Sequence, residues 1–158
     1  MARHKTKRRQ RRKPVNLETD IRFYTTLKKD ATNTINGLYA VLYLTSQEIN
    51  HYEREKLVDE TTIDRVKQLW VEAHRELDDI NGVLDETMKS YDSVFHADGD
   101  ESEAFVNRLS VVSKFDEIKN KIFVTFYDTM NSLIHLLGNP SKIKSRLDEL
   151  ENNNDESK

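Results

Sequence analysis

Two long segments of the chain repeat hydrophobic residues at alternating spacings of three and four. In a helix this spacing places the residues along one face, so each segment is predicted to form a long amphipathic helix. The first seam comprises Ile21, Tyr24, Lys28, Ala31, Ile35, Leu38, Leu42, Thr45, Ile49 and Tyr52, and the second comprises Ile63, Val66, Trp70, Ala73, Leu77, Ile80, Leu84, Thr87, Tyr91 and Val94. We expect the first helix to fade near Lys56, Asp59 to cap the second, and Trp70 to be a core residue.

A third long helix and a short fourth one follow from the same periodicity. The third seam comprises Phe105, Leu109, Val112, Phe115, Ile118, Ile122, Phe126, Met130, Leu133 and Leu137, and the short helix presents Ile143, Leu147 and Leu150. Gly138-Asn139-Pro140 separates the two, because Gly adopts the left-handed cap conformation and Pro cannot continue a helix.

The predicted fold class is all-α. Three helices of about 35 residues joined by short loops pack most simply as an up-down-up bundle, with the short C-terminal helix added. The domain prediction is a disordered basic arm at 1–15, a helical bundle at 16–151 and a disordered polar tail at 152–158. The alternative is that the long seams are coiled-coil segments of an oligomer.

Two Asn-Gly pairs interrupt these helical patterns. Asn-Gly is a common turn signal, yet Asn36-Gly37 and Asn81-Gly82 lie inside the first and second seams. Three interpretations are open: tolerated surface positions, places where another backbone or a partner approaches closely, or a helix break near residue 36.

Charge divides the chain unevenly. Residues 1–14 contain eight Lys or Arg and no acid, whereas residues 15–158 contain 17 basic and 28 acidic residues, a net charge of −11. The basic run resembles the arginine-rich peptides of viral trans-activators and basic nuclear-localisation signals, and Arg pairs well with phosphate. The residues predicted to bind an import receptor or nucleic acid are Lys5, Lys7, Arg8, Arg9, Arg11, Arg12 and Lys13.

The chain offers little for catalysis. It has no Cys, no Gly-flanked nucleophile and no Gly-rich phosphate loop. A di-metal site in a bundle needs two Glu-x-x-His motifs, and only Glu48 and His51 have that spacing. We therefore predict no catalytic, metal or cofactor site and no small-molecule substrate. No apolar run approaches the ~18 residues of a membrane span, so no membrane role is expected.

Apolar residues outside the seams form two bands near the middle of the first and third helices. A helix that is apolar around most of its circumference must be covered. These residues are predicted to bind a protein partner or a second copy, unless the short helix folds back over them or a three-helix core simply uses a wide face of each helix. They are Tyr39, Val41, Tyr43, Leu44, Phe123, Val124 and Tyr127.

The sequence thus predicts a non-enzymatic interaction module of a nuclear assembly in chromatin, transcription or RNA processing. In this prediction the arm is the import signal and a possible contact to nucleic acid. One alternative is a direct RNA- or DNA-binding protein acting mainly through the arm. Another is a cytoplasmic helical scaffold in trafficking or the cytoskeleton.

Overall fold

All elements in the described part of the chain are helical, which confirms the all-α prediction. The computed structural model describes the backbone of residues 2–93 and 101–156, and the side chains of Thr19 and of residues 21–93 and 110–152. The elements are α1 (Ala2–Arg54), α2 (Glu60–Asp92), α3 (Glu101–Lys121), a π-helix (Ile122–Tyr127), α4 (Asp128–Leu136) and α5 (Ser141–Glu156).

The predicted ends of the ordered chain are not confirmed. We expected disorder at 1–15 and 152–158, but α1 begins at Ala2 and α5 ends at Glu156. The helix propensities of Arg, Lys and Gln are high, which agrees with a helix in this basic sequence. Residues 94–100, which include the seam residue Val94, lie outside the described residues, as do the side chains of Phe105 and Leu109.

The chain divides into two compact units. Unit 1 contains residues 1–31 and 83–118, and unit 2 contains residues 32–82 and 119–158. Both units draw on α1, α2 and α3. The single bundle domain and its up-down-up order remain predictions.

Unit 1 is organised around Tyr24. Its ring lies 6.3 Å from the ring of Tyr91 and 6.4 Å from that of Phe115. Its hydroxyl donates a hydrogen bond of 2.6 Å to Asp92 Oδ1, and Lys28 Nζ lies 3.1 Å from the same oxygen. The Tyr24 hydrogen bond and Lys28 lower the pKa of Asp92, so this edge of the unit favours the ionised carboxylate.

In unit 2, α1 and α2 run antiparallel. Trp70 Nε1 donates to the Leu42 carbonyl oxygen at 2.8 Å, Lys67 Nζ lies 2.7 Å from Glu53 Oε2, and the Tyr39 hydroxyl donates to Asp78. As the contacting residues on α1 advance from Tyr39 to Glu53, their partners on α2 run back from Asp78 to Lys67. The short turn between the helices imposes this arrangement.

The predicted seams are the buried faces of these helices. Leu38, Leu42, Val66, Leu77 and Met130 are no more than 1% exposed. Two details differ. Val111, not Val112, is fully buried in α3. Trp70 is half-buried, because its indole reaches across to the α1 backbone and does not point into the core.

The short helix α5 packs within unit 2. Its Ile143 and Leu147 are 0% and 2% exposed. Tyr127 Oη lies 3.5 Å from the Leu147 carbonyl oxygen, and a Cβ built on Gly37 would lie 2.7 Å from Leu150 Cδ2. Gly37 is thus a point of close approach between α1 and α5, whereas Gly82 has no such neighbour within 4 Å. Both Asn-Gly pairs lie inside helices, so of the three open interpretations the helix break near residue 36 is wrong.

The helix ends in unit 2 follow the expected cap chemistry. Asp59 Oδ1 accepts a hydrogen bond of 2.7 Å from the Thr62 amide, which caps α2. Hydrogen bonding from the Thr62 side chain, and then from its amide, lowers the pKa of Asp59. Gly138 has φ 81°, as predicted for the cap after α4, and Lys56 occupies the same left-handed region with φ 52° after α1. Both are the left-handed residue of a Schellman motif.

Candidate protein-interaction surface

The predicted apolar band on α1 separates onto two flanks of the helix. Tyr39 and Tyr43 are four residues apart and share the flank beside α2, where Tyr39 meets Asp78. Val41 is 3% exposed and belongs to the core. Leu44 is half-buried and, by helical spacing, shares the flank of Gly37, to which α5 packs. Tyr43, 67% exposed, is therefore the band residue on α1 that a partner could reach most fully.

The other half of the band falls in the π-helix. Tyr127 is 4% exposed, and burial, with the charges of Glu151 and Asp148 on α5, raises its pKa. Phe123 stacks on Tyr127 with ring centroids 5.0 Å apart. α5 thus covers Tyr127, which is the fold-back alternative stated above. Val124 is 63% exposed.

The π-helix was not predicted from the sequence. Its wider turn brings two consecutive aromatic residues, Phe126 and Tyr127, to buried positions. A single π-turn inside a long helix is often found at functional sites. No periodicity in the sequence indicates it, because Ile-Phe-Val-Thr-Phe-Tyr is apolar on nearly every side.

The predicted import and nucleic-acid residues cannot be placed in the same way. The side chains of Lys5, Lys7, Arg8, Arg9, Arg11, Arg12 and Lys13 lie outside the described residues. Their role remains a prediction from charge and composition.

An aromatic cluster joins α1 to α2 at the surface of unit 2. The ring of His74 lies 5.2 Å from that of Trp70 and 5.9 Å from that of Tyr39. His74 Nδ1 is 3.1 Å from Asp78 Oδ2, and the other oxygen of Asp78 accepts the Tyr39 hydroxyl. These contacts hold the two helices in register. The cluster lies at the edge of the α1 outer face.

The outer face of α1 carries no charge from Asn33 to Asn50. Residues 32–47 contain no Asp, Glu, Lys or Arg in a chain that is 34% charged, where about five would be expected from the average. The exposed residues follow the 3-4 spacing of a second seam, opposite the buried one. This uncharged face comprises Asn33, Asn36, Ala40, Tyr43, Gln47 and Asn50. The run of 16 uncharged residues was visible in the sequence and would have identified it.

Exposed apolar side chains concentrate in the same unit. The large hydrophobic residues that are substantially exposed in the described part of the chain are Tyr43, Leu57, Val71, Val124 and Leu136, all of which belong to unit 2. Because Tyr39 contacts His74 and Asp78, the antiparallel register places Tyr43, four residues later, level with residues 70–74, and Val71 in this range is 51% exposed. Tyr43 and Val71 are thus the apolar part of a surface shared by α1 and α2.

The hairpin that carries this surface has a net negative charge. Residues 32–82 contain five basic and ten acidic residues, a net charge of −5, whereas residues 119–158 contain six of each. The α1–α2 hairpin therefore carries the whole negative charge of unit 2. Near its turn, a shallow open cavity of about 660 Å³ is lined by four acids and one base among other residues. The acids are Glu53, Asp59, Glu60 and Asp64.

Other classes of site find little support in the described residues. Within them, no group of three or more His, Cys, Asp or Glu side chains could hold a metal ion. His51 of the single Glu-x-x-His spacing is exposed and packs edge-on against Tyr52, with ring centroids 6.1 Å apart. A search of the described helices finds none long and apolar enough to span a membrane.

The described fold defines an all-helical protein with a surface on its α1–α2 hairpin. Comparisons of the chain with protein families, with curated proteins and with solved structures find no match. Its function is therefore argued from its own residues.

Proposed function

We propose that this protein is a non-enzymatic protein-interaction module of a nuclear assembly, and that it docks on its partner through the α1–α2 surface. The observation that carries the proposal is the uncharged face, with Tyr43 and Val71 exposed beside it. Interface cores are depleted in charged residues and enriched in aromatic ones. A surface helix that only faces water would normally carry charges in proportion to the rest of the chain.

Nuclear action is proposed from the arm. Eight basic residues within 14 positions, with no acid among them, match the charge pattern of an import signal. A reporter fused to residues 1–14 is expected to enter the nucleus, and the same reporter with Arg8, Arg9, Arg11 and Arg12 changed to Ala is expected to remain outside. A reporter that stays cytoplasmic with the intact arm would overturn the nuclear assignment and favour the cytoplasmic scaffold.

The docking proposal is tested by affinity purification of the tagged full-length chain from its own cells, with and without nuclease, followed by mass spectrometry. We expect a set of proteins that survives nuclease and is lost in the double variant Tyr43→Ser/Val71→Ser. Val124→Ser is the matched control, because Val124 is equally exposed but lies on the π-helix. Equal recovery of the same proteins by both variants would overturn docking through this surface.

The second candidate function is direct binding of RNA or DNA through the arm, which the charge division of the chain favours. Binding by the arm should weaken steeply with salt, because counterions released from phosphate return at high salt. The net charge of −11 in residues 15–158 opposes any contribution from the body. Should residues 15–158 bind nucleic acid as tightly as the full chain, arm-driven binding is wrong.

A further inference from the structure

We infer that the α1–α2 surface accepts one kind of partner: an α-helix with an uncharged stripe flanked by Lys and Arg. The inference rests on the proposed function and specifies the chemistry of the partner. Three features of unit 2 carry it: the spacing of the uncharged face, its apolar centre and the charge around it.

The spacing of the uncharged face selects a helix. Its residues follow one another at intervals of 3, 4, 3, 4 and 3 from Asn33 to Asn50, and all are exposed. This is the spacing of a coiled-coil seam, which packs against a seam of the same kind on another helix. The 18 residues from 33 to 50 extend over about 27 Å at 1.5 Å per residue, enough for five turns of a partner.

The centre of the face provides the apolar contact. Ala40 is small, so a partner backbone can approach closely there, while Tyr43 and Val71 offer large exposed side chains at the same level. The amides of Asn33, Asn36 and Asn50 lie toward the two ends. Asn at seam positions selects Asn on the opposing helix and fixes the register.

The charge around the face selects a cationic partner. The α1–α2 hairpin has a net charge of −5, and the face itself has none. A partner helix therefore meets no charge on the face itself and a net negative charge on the hairpin that carries it, so Lys and Arg are favoured at its flanking positions and Glu and Asp are disfavoured. A second copy of this surface would meet the same negative charge, which disfavours self-association here.

The test uses the full-length chain and three labelled peptides of 21 residues. The first has a heptad seam of Leu and Asn flanked by Lys and Arg, and the second has the same seam flanked by Glu. The third has the composition of the first in scrambled order, without a seam, which controls for non-specific attraction to an anionic protein. Binding is measured by fluorescence anisotropy, and the fluorescence of Trp70, the single Trp of the chain, reports on the surface.

We expect the cationic seam peptide to bind at least tenfold more tightly than the other two and to change the emission of Trp70. Tyr43→Ser/Val71→Ser should weaken this binding at least tenfold, and Val124→Ser should leave it within twofold. Equal binding of the cationic and the scrambled peptide, equal binding of the Glu peptide, or no effect of the double variant would each overturn the inference.

The outcome also separates the inference from the proposed function. If the double variant loses its cellular partners while no cationic helix binds, the docking surface stands and the chemistry of the partner is wrong. If the double variant keeps all its partners, docking through this surface fails whatever the peptides do.

Discussion

Asn36-Gly37 and Asn81-Gly82 are alike in sequence and unlike in the fold. Each pair lies inside a long helix and off its buried seam, on α1 and α2 respectively. At Gly37 an added Cβ would meet Leu150 Cδ2 at 2.7 Å, whereas at Gly82 it would meet nothing within 4 Å. One glycine leaves room for another helix, and the other only lowers the stability of its own helix. The same dipeptide therefore has two structural roles, which depend on whether another helix packs against it in space.

The largest effect is expected from removing the anchor of α5, since α5 is what makes Gly37 different from Gly82. Ile143 is 0% exposed. Ile143→Ala should lower the free energy of unfolding by about 2–5 kcal/mol, because it removes buried methyl groups and leaves a cavity. Urea denaturation measures it, with the exposed Lys144→Ala as the control. If the two variants are equally stable, α5 is not anchored on unit 2.

A bulky residue at each glycine is the direct test of the comparison. Gly37→Leu should cost about 1–3 kcal/mol, because the new side chain must displace Leu150 or push α5 away from α1. Gly82→Leu meets no neighbour and should raise the free energy of unfolding by about 0.5–1 kcal/mol, because Leu has the higher helix propensity. Changes of opposite sign in the free energy of unfolding, measured by matched urea titrations, support the two different roles. Two changes of the same sign and size would show that the glycines are equivalent.

The sequence could not distinguish these glycines, although it predicted the seams in which they lie. Periodicity is a local property, and it identified most of the buried residues from Tyr24 to Ile49 and from Ile63 to Tyr91, although it missed Val41 and Leu69. The neighbour of Gly37 is Leu150, which lies far along the chain, so no local pattern encodes the contact. The π-helix was not predicted for another reason. Its segment is apolar on nearly every side, so its hydrophobic pattern has no period from which a wider helical turn could be recognised.

The candidate surface shows the same division between local and distant information. Tyr43 was predicted, because an apolar residue off the seam is visible in the sequence. Tyr127 was predicted for the same reason and is 4% exposed, because α5 covers it. Val71 was missed, since its value as a surface residue depends on the register of α2 against α1. The absence of charge in 32–47 was the signal that could have located the surface.

Alanine in place of Gly37 and of Gly82 tests the same comparison with a smaller expected change in the free energy of unfolding. Gly82→Ala should raise the free energy of unfolding by about 1 kcal/mol through helix propensity alone. Gly37→Ala should gain less, because its Cβ must move the end of the Leu150 side chain. In a Leu150→Ala background this difference should vanish, and the resulting double-mutant cycle gives the coupling between the two positions. A coupling energy of zero would contradict the contact.

The smallest effect is expected at Lys56, a non-glycine residue in a backbone conformation that favours glycine. Lys56 adopts φ 52° at the end of α1, as Gly138 adopts φ 81° at the end of α4. The left-handed conformation costs a residue with a Cβ about 1 kcal/mol. Gly removes this cost, but it also gives the unfolded chain more conformational entropy, which offsets part of the gain. Lys56→Gly should therefore raise the free energy of unfolding by about 0.5 kcal/mol, whereas Glu55→Gly, one residue before it, should lower it. The same measurement on both variants decides whether the backbone, and not the lost charge, is responsible: if both lower stability, Lys56 is held there by its side chain.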